Sequence, residues 1–148
     1  MAGAARKDAT PIGYFKVEID QIDSASFRKC SGLKTETEVF EYQEGGDNET
    51  TLKLMGPTKA NNIVLTKGYV SDPALFKWRD EIASSGTNPI KRRNGSIVAL
   101  DRTGKTEVAR WNFTKAWPVR WEMTDFDSST GEAACEVLEL AVEKISKA

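Results

Sequence analysis

Glu36, Glu38, Glu41 and Glu44 make a striped acidic stretch in the first third of the chain. A carboxylate pair such as Glu36 and Glu38 could serve general acid/base chemistry, although charges on an exposed or interfacial strand are the commoner arrangement. Lys91, Arg92 and Arg93, next to Asn94-Gly95, are the only basic cluster. Three charges could touch nucleic acid, but no aromatic residues interleave with them, so a solvated or ion-paired loop is the expectation. Gly45-Gly46 leads into neither a helix nor a Lys-Ser/Thr pair, which makes it a turn and not a phosphate cradle. Trp111, Trp117 and Trp121 could form a carbohydrate platform, yet core or subunit contact is the usual use of such large apolar area. The chain has no histidine, which removes Ser-His-Asp and Cys-His catalysis, His-ligated metal and imidazole switches. Cys30 and Cys135 lie far apart with no CxxC spacing, as expected of small buried or half-buried thiols. No catalytic residue, metal or cofactor is expected.

The elements that position these residues must fit within 148 residues, the size of one ordinary domain. A chain of that length buries roughly 70% of its unfolded surface and needs no disulfide to fold. Its 21 Lys+Arg against 22 Asp+Glu leave a formal charge of −1. That balance argues against a dedicated nucleic-acid or anionic-membrane binder. Residues 1–10 carry Arg6, Lys7 and Asp8 without an apolar run, so no signal peptide is expected and the reading is a soluble protein made in a cytoplasm.

Short alternating runs of β-formers dominate the chain. In residues 14–20, Phe15, Val17 and Ile19 oppose Lys16, Glu18 and Asp20, the period-2 mark of a half-buried strand. Further strands are expected over 26–33, 36–43 and 62–70, with Leu52 and Leu54 in another that Gly56-Pro57 ends. The 36–43 strand sets Thr37, Val39 and Glu41 against Glu38, Phe40 and Tyr42. Both faces are mixed, a pattern poor for a core and good for an interface. One helix is well signalled: Asp72 can cap, Pro73 suits the first position, and Leu75, Trp78, Arg79 and Ile82 share a stripe. Asp101-Arg102-Thr103-Gly104 marks a hairpin between 96–100 and 107–113. Trp117-Pro118 is expected to break the second arm, with a new strand from Val119. Residues 132–147 fit a helix and a strand equally well. Few strong core strands and long polar loops imply unpaired strand edges that need partners.

These residues resemble the tube protein of contractile phage tails and phage-tail-like injection systems. The resemblance rests on Phe15-Lys16-Val17-Glu18-Ile19-Asp20, Cys30-Ser31-Gly32-Leu33, Thr35-Glu36-Thr37-Glu38-Val39 and Glu41-Tyr42-Gln43-Glu44-Gly45-Gly46. It continues through Asn88-Pro89, Lys91-Arg92-Arg93-Asn94-Gly95-Ser96-Ile97 and Glu107-Val108-Ala109-Arg110-Trp111-Asn112-Phe113. Ala116-Trp117-Pro118-Val119-Arg120-Trp121-Glu122 and Val137-Leu138-Glu139-Leu140-Ala141 complete it. The match covers nearly the whole chain, and its combined blocks are specific where single ones are not.

The resemblance implies a mainly β, barrel- or sandwich-like tail-tube fold with one short α-helix. It implies a single domain over residues 1–148, with 1–12 as a flexible arm and the closing segment as a strand. Hexameric rings would stack into a hollow inner tube, with a contractile sheath, a baseplate and spike, and tube-terminating proteins as partners. Protein cargo could occupy the lumen. Such particles are assembled in the bacterial cytoplasm and then released, with no direct membrane anchoring and no catalysis. Ring stacking falls to residues 42–59, with Glu44, Gly45, Gly46, Asp47 and Asn48 at the turn and Lys53 and Lys59 behind it. Lys91, Arg92 and Arg93 are the opposing charges, chosen by sign alone. Three other readings stay open: a phage tail tube conducting DNA, a secretion-system tube protein, and a sugar-active β-domain using Glu36 and Glu38.

Overall fold

The computed structural model describes residues 8–25, 27–43, 45–46, 49–69, 72–84, 92–131 and 133–148. The first seven residues of the expected N-terminal arm lie outside them. The elements in order are β1 Tyr14–Ile19, β2 Ile22–Ala25, β3 Lys29–Ser31, β4 Thr35–Tyr42, β5 Leu52–Ala60, β6 Ile63–Gly68, α1 Ala74–Ser84, β7 Arg93–Leu100, β8 Glu107–Met123, β9 Cys135–Ala141 and β10 Lys144–Lys147. The mainly β reading with one helix therefore holds, and the ambiguous closing segment is two strands.

All pairings are antiparallel. The main sheet runs β2-β1-β7-β8-β9-β6-β3, with β10 added against β8. It curls over one core because β8, 17 residues long, serves two neighbourhoods. Its first part pairs with β7 and β10, and its residues from Trp117 onward pair with β9. The bend lies at Thr114-Lys115. Gly95 faces Phe113 while Arg93 faces Ala116, so β8 carries one extra residue there. Lys115 takes a left-handed φ of 51°, and its freed backbone N–H donates to Asn94 Oδ1 at 2.9 Å. Extra residues bend and twist a strand in this way.

The expected break at Trp117-Pro118 does not occur. Beyond Ala116, β8 pairs among the described residues only with β9, so its other side makes no demand there on the N–H that Pro118 lacks. A register shift directly after Pro118 absorbs the remaining strain, as prolines inside sheets require. The single strand expected over 26–33 is also different: among its described residues only Lys29–Ser31 form a strand, and β2 precedes it. Its sequence, Ile22-Asp23-Ser24-Ala25, holds one strong β-former, so it has little periodic signal. The turn into it passes through Gln21 at φ 64°.

Val17, Ile19, Ile63, Leu65, Ile97, Phe113, Leu138 and Leu140 form the core, and α1 closes one side of it with Leu75, Trp78 and Ile82. The helix begins as its sequence predicts, with Ala74 N–H donating to Asp72 Oδ1 at 3.1 Å. Outside the core, Arg110 reaches Glu18 at 2.9 Å and Glu107 at 2.8 Å, while Lys16 lies 3.1 Å from Glu18. These cations hold the Glu18 carboxyl below its ordinary range, Arg110 contributing most. A lowered carboxylate pKa stabilises the fold above its unfolded value, and that contribution is lost as pH falls through the folded one.

The β7–β8 ladder leaves no room at Gly95, where an added Cβ would meet Phe113 Cζ at 2.4 Å and Glu18 O at 2.5 Å. At Gly68, on β6, it would meet nothing within 4 Å. Gly95→Ala should cost about 1–3 kcal/mol as an overpacked site. Gly68→Ala should stay within about 0.5 kcal/mol. Urea unfolding followed by tryptophan fluorescence tests this, and equal midpoints for the two variants would contradict the packing at Gly95.

Candidate assembly interface

β4 and β5 form a two-stranded sheet of their own, joined by hydrogen bonds to no other strand among the described residues. They prolong the β3–β6 ladder outward. The chain leaves β3 through Gly32, at φ 86°, where a Cβ would sit 2.1 Å from Asn62 O, and Asn61 N–H donates to Lys34 O at 2.9 Å across the root. Only glycine fits that close crossing. Nine residues of β5 extend roughly 30 Å at the usual strand rise.

Register shows what β4 alone conceals. Phe40 faces Leu54 and Tyr42 faces Leu52, so four large apolar side chains share one face of the arm. On the other face Val39 meets Met55 and Glu41 meets Lys53. The mixed pattern read from β4 thus becomes an apolar outer half once its partner strand is added. All six apolar residues are exposed, Met55 at 90%. Nor does Gly56-Pro57 end β5. Thr37 faces Thr58 while Val39 faces Met55, so the pair forms a bulge that the strand passes through. The Phe40 ring covers Gly56, whose Cβ would lie 2.7 Å from Phe40 Cε2, and the Thr37 and Thr58 hydroxyls bond at 2.7 Å. A lone two-stranded ribbon is marginal in water, and a contiguous apolar face left on one marks an interaction surface.

The residues assigned to stacking are dispersed. Glu44, Asp47, Asn48 and Lys91 lie outside the described residues. Gly45 and Gly46 form the turn, with Gly46 at φ 93°. Lys53 is near the outer end of the arm and Lys59, opposite Glu36, near its root. Arg92 pairs with Glu143, which Lys115 also approaches at 3.6 Å. Arg93 turns to the other face of its strand. Its guanidinium sits 5.2 Å from the centroid of the Trp78 ring and donates to Asp20 O at 3.1 Å, tying α1 to β7. The alternation of Arg93, Gly95 and Ile97 in β7 was the signal for that inward direction. Replacing both arginines would therefore disturb the subunit as well as its surface.

Glu36 and Glu38 stand on the exposed arm beside an open groove of about 460 Å³ that also takes in Pro57 and Lys59. Both side chains are exposed to water. The tryptophans form no flat exposed platform: Trp117 and Trp121 pack on the core. Trp121 Nε1–H donates to Glu136 Oε1 at 2.7 Å, and Phe76 meets its ring edge-on at 4.8 Å. Beside them, near the start of α1, lies a mainly apolar cavity of about 670 Å³, whose lining residues are too far apart along the chain to be foreseen as neighbours. Glu136, 2% exposed, lines it. Cys30 is half-buried and Cys135 buried, both free, and burial pushes the Cys30 thiol up to about 11.

A sheet curled over one core, a helix on its flank and an apolar arm that pairs with no other strand among the described residues are the parts of a subunit made for assembly. The chain belongs to the T4-like virus tail tube protein gp19 family, whose model matches residues 12–146. No curated protein matches it significantly in sequence. Among solved structures it resembles a chain of the PVC sheath–tube complex of an extracellular contractile injection system, in its extended state. Identity is 24% and the TM-score 0.81, over 95% of this chain and 91% of that one. A chain of the anti-feeding prophage baseplate shows 25% identity and a TM-score of 0.80, over 100% and 97%. Hcp1 from Flavobacterium johnsoniae is more distant, at 17% and 0.56 over 90% and 94%.

If the arm is built for a neighbour, its apolar face contributes nothing to the isolated subunit. Phe40→Ser with Leu54→Ser should shift the unfolding free energy of the dilute chain by less than about 1 kcal/mol, as exposed substitutions do. A loss above about 3 kcal/mol in chemical denaturation would place these side chains in the subunit's own core.

Proposed function

We propose that this chain is the inner-tube subunit of a phage-tail-like contractile injection system. Six copies close into a ring, rings stack into a hollow tube, and a contracting sheath drives that tube through a target membrane to deliver cargo. The particle is assembled in a bacterial cytoplasm and acts outside it. The subunit's task is mechanical, and no catalytic step is assigned to it.

The observation that carries the reading is the unpartnered β4–β5 arm on a tail-tube fold. Ring closure needs a head-to-tail contact whose rotation returns to its start, and exposed strand edges supply backbone donors and acceptors for it. β2 and β3 end the main sheet and are the edges we assign to that contact. The arm then reaches along the axis to the next ring. Burying one large apolar side chain fully is worth roughly 1.5–3 kcal/mol. Four such residues on each of six arms would hold two rings together firmly even after the cost of ordering them. The similarity to injection-system chains, at 24–25% identity against 17% for Hcp1, favours this setting over a secretion-system tube. It also supports a sheath, a baseplate and a tube-terminating protein as partners, to which we add a spike at the leading end.

Negative-stain microscopy of the purified chain tests the reading. Wild type should give rings and stacked tubes, whereas Phe40→Ser/Leu54→Ser should give rings that stay single. A monodisperse monomer at high concentration would reject the tube subunit, and full-length tubes from the variant would remove the arm from stacking.

A further inference from the structure

The core face of the sheet ends in a charged row. Lys67 on β6 faces Glu136 on β9, which in turn faces Met123 on β8. One row further in, Leu65, Leu138 and Trp121 face one another in the same order, both leucines fully buried. The cavity of about 670 Å³ at the start of α1 takes in Trp121, Met123 and Glu136 from that face.

Its wall is aromatic and acidic. Tyr69, Phe76, Trp121 and Phe126 supply rings, Asp72 and Glu136 supply carboxylates, and no basic residue lines it among the described ones. Tyr69, Phe76 and Phe126 are exposed, Phe126 at 82%. Large apolar side chains gathered in this way around one opening mark a binding surface. Asp72 already caps α1, so the helix end does not call for an anion there.

Glu136 is the incomplete member of the wall. Its Oε1 accepts the Trp121 Nε1–H at 2.7 Å, while Oε2 is buried with no hydrogen-bond partner. Lys67 stands opposite it and is buried too, but does not bond to that oxygen. A buried carboxylate oxygen without a donor is costly, and a donor brought to it offsets that cost. Ring faces attract cations, and the methylene stems of Lys and Arg suit apolar walls.

We propose that this pocket receives a lysine or arginine side chain from a partner protein other than this chain. The stem lies along the rings and the charged head reaches Glu136 as the exposed rings at the mouth move aside. The inference goes beyond the stacking reading and makes no use of the β4–β5 arm.

Fluorescence anisotropy on the full-length chain is the test. The probe is a short, blocked, fluorescein-labelled peptide with one lysine between leucines, and its control carries norleucine in place of the lysine. The lysine peptide should bind roughly tenfold more tightly than the control. Glu136→Gln should erase that difference. Phe126→Ala, an exposed change that leaves the fold intact by circular dichroism, should weaken the lysine peptide roughly fivefold. Equal affinity for the two peptides, or an unchanged affinity in Phe126→Ala, would overturn the cation pocket. Free n-butylammonium that competes as well as unlabelled lysine peptide would make a small amine the ligand and overturn the partner side chain. The lysine peptide should also sediment with assembled tubes. Binding to the dilute chain that is lost on tubes would make a second copy the occupant and overturn the separate partner. A chain that binds the peptide but forms no tubes would reject the tube reading and leave the pocket standing.

Discussion

Everything in this subunit follows from the bend of β8 at Thr114-Lys115. One strand of 17 residues is asked to belong to two differently directed halves of a sheet. It does so by admitting one extra residue and setting Lys115 in a left-handed conformation, at φ 51°. The cost of that conformation is offset locally, because the Asn94 side chain accepts the N–H that the ladder gives up. Without the bend the two halves could not face each other across Phe113, Leu138 and Leu140, and α1 would have no concave side to close. The same bend leaves Arg92, Asn94, Thr114 and Lys115 around a shallow bay. A single irregularity thus serves the core and shapes the surface.

Much of the fold was legible because several strands are half-buried. Val17 and Ile19 alternate with Lys16, Glu18 and Asp20 and are buried as that alternation requires. Helix α1 was written in its cap, its proline and its 3.6-residue stripe. The errors have a common cause. Gly56-Pro57 and Trp117-Pro118 look like stops, yet each sits at a register shift where one edge of the strand owes no hydrogen bond. Whether a proline breaks a strand depends on the strand beside it, and that neighbour is far away in sequence. β2 was missed because its four residues are too few for any period.

The interface was half visible for the same reason. β4 read alone has two mixed faces, and only the register of β5 gathers Phe40, Tyr42, Leu52 and Leu54 onto one side. The basic stretch likewise seemed a block until strand geometry sent Arg92 and Arg93 in opposite directions. Charge sign can be read from a sequence, whereas direction needs the ladder. A ribbon of two strands, hydrogen-bonded to no other strand among the described residues, also has little to lose when it moves. It is the part of the subunit best able to wait exposed and become rigid on contact.

Hydrogen–deuterium exchange compares these two conditions directly. Backbone amides of residues 35–60 should exchange rapidly in the dilute subunit. In assembled tubes they should be strongly protected, while those of β7–β9 change little, being held by their own ladder in both. Equal exchange of residues 35–60 in subunit and tube would mean that the arm stays in water after assembly, and the account of stacking built on it would be wrong.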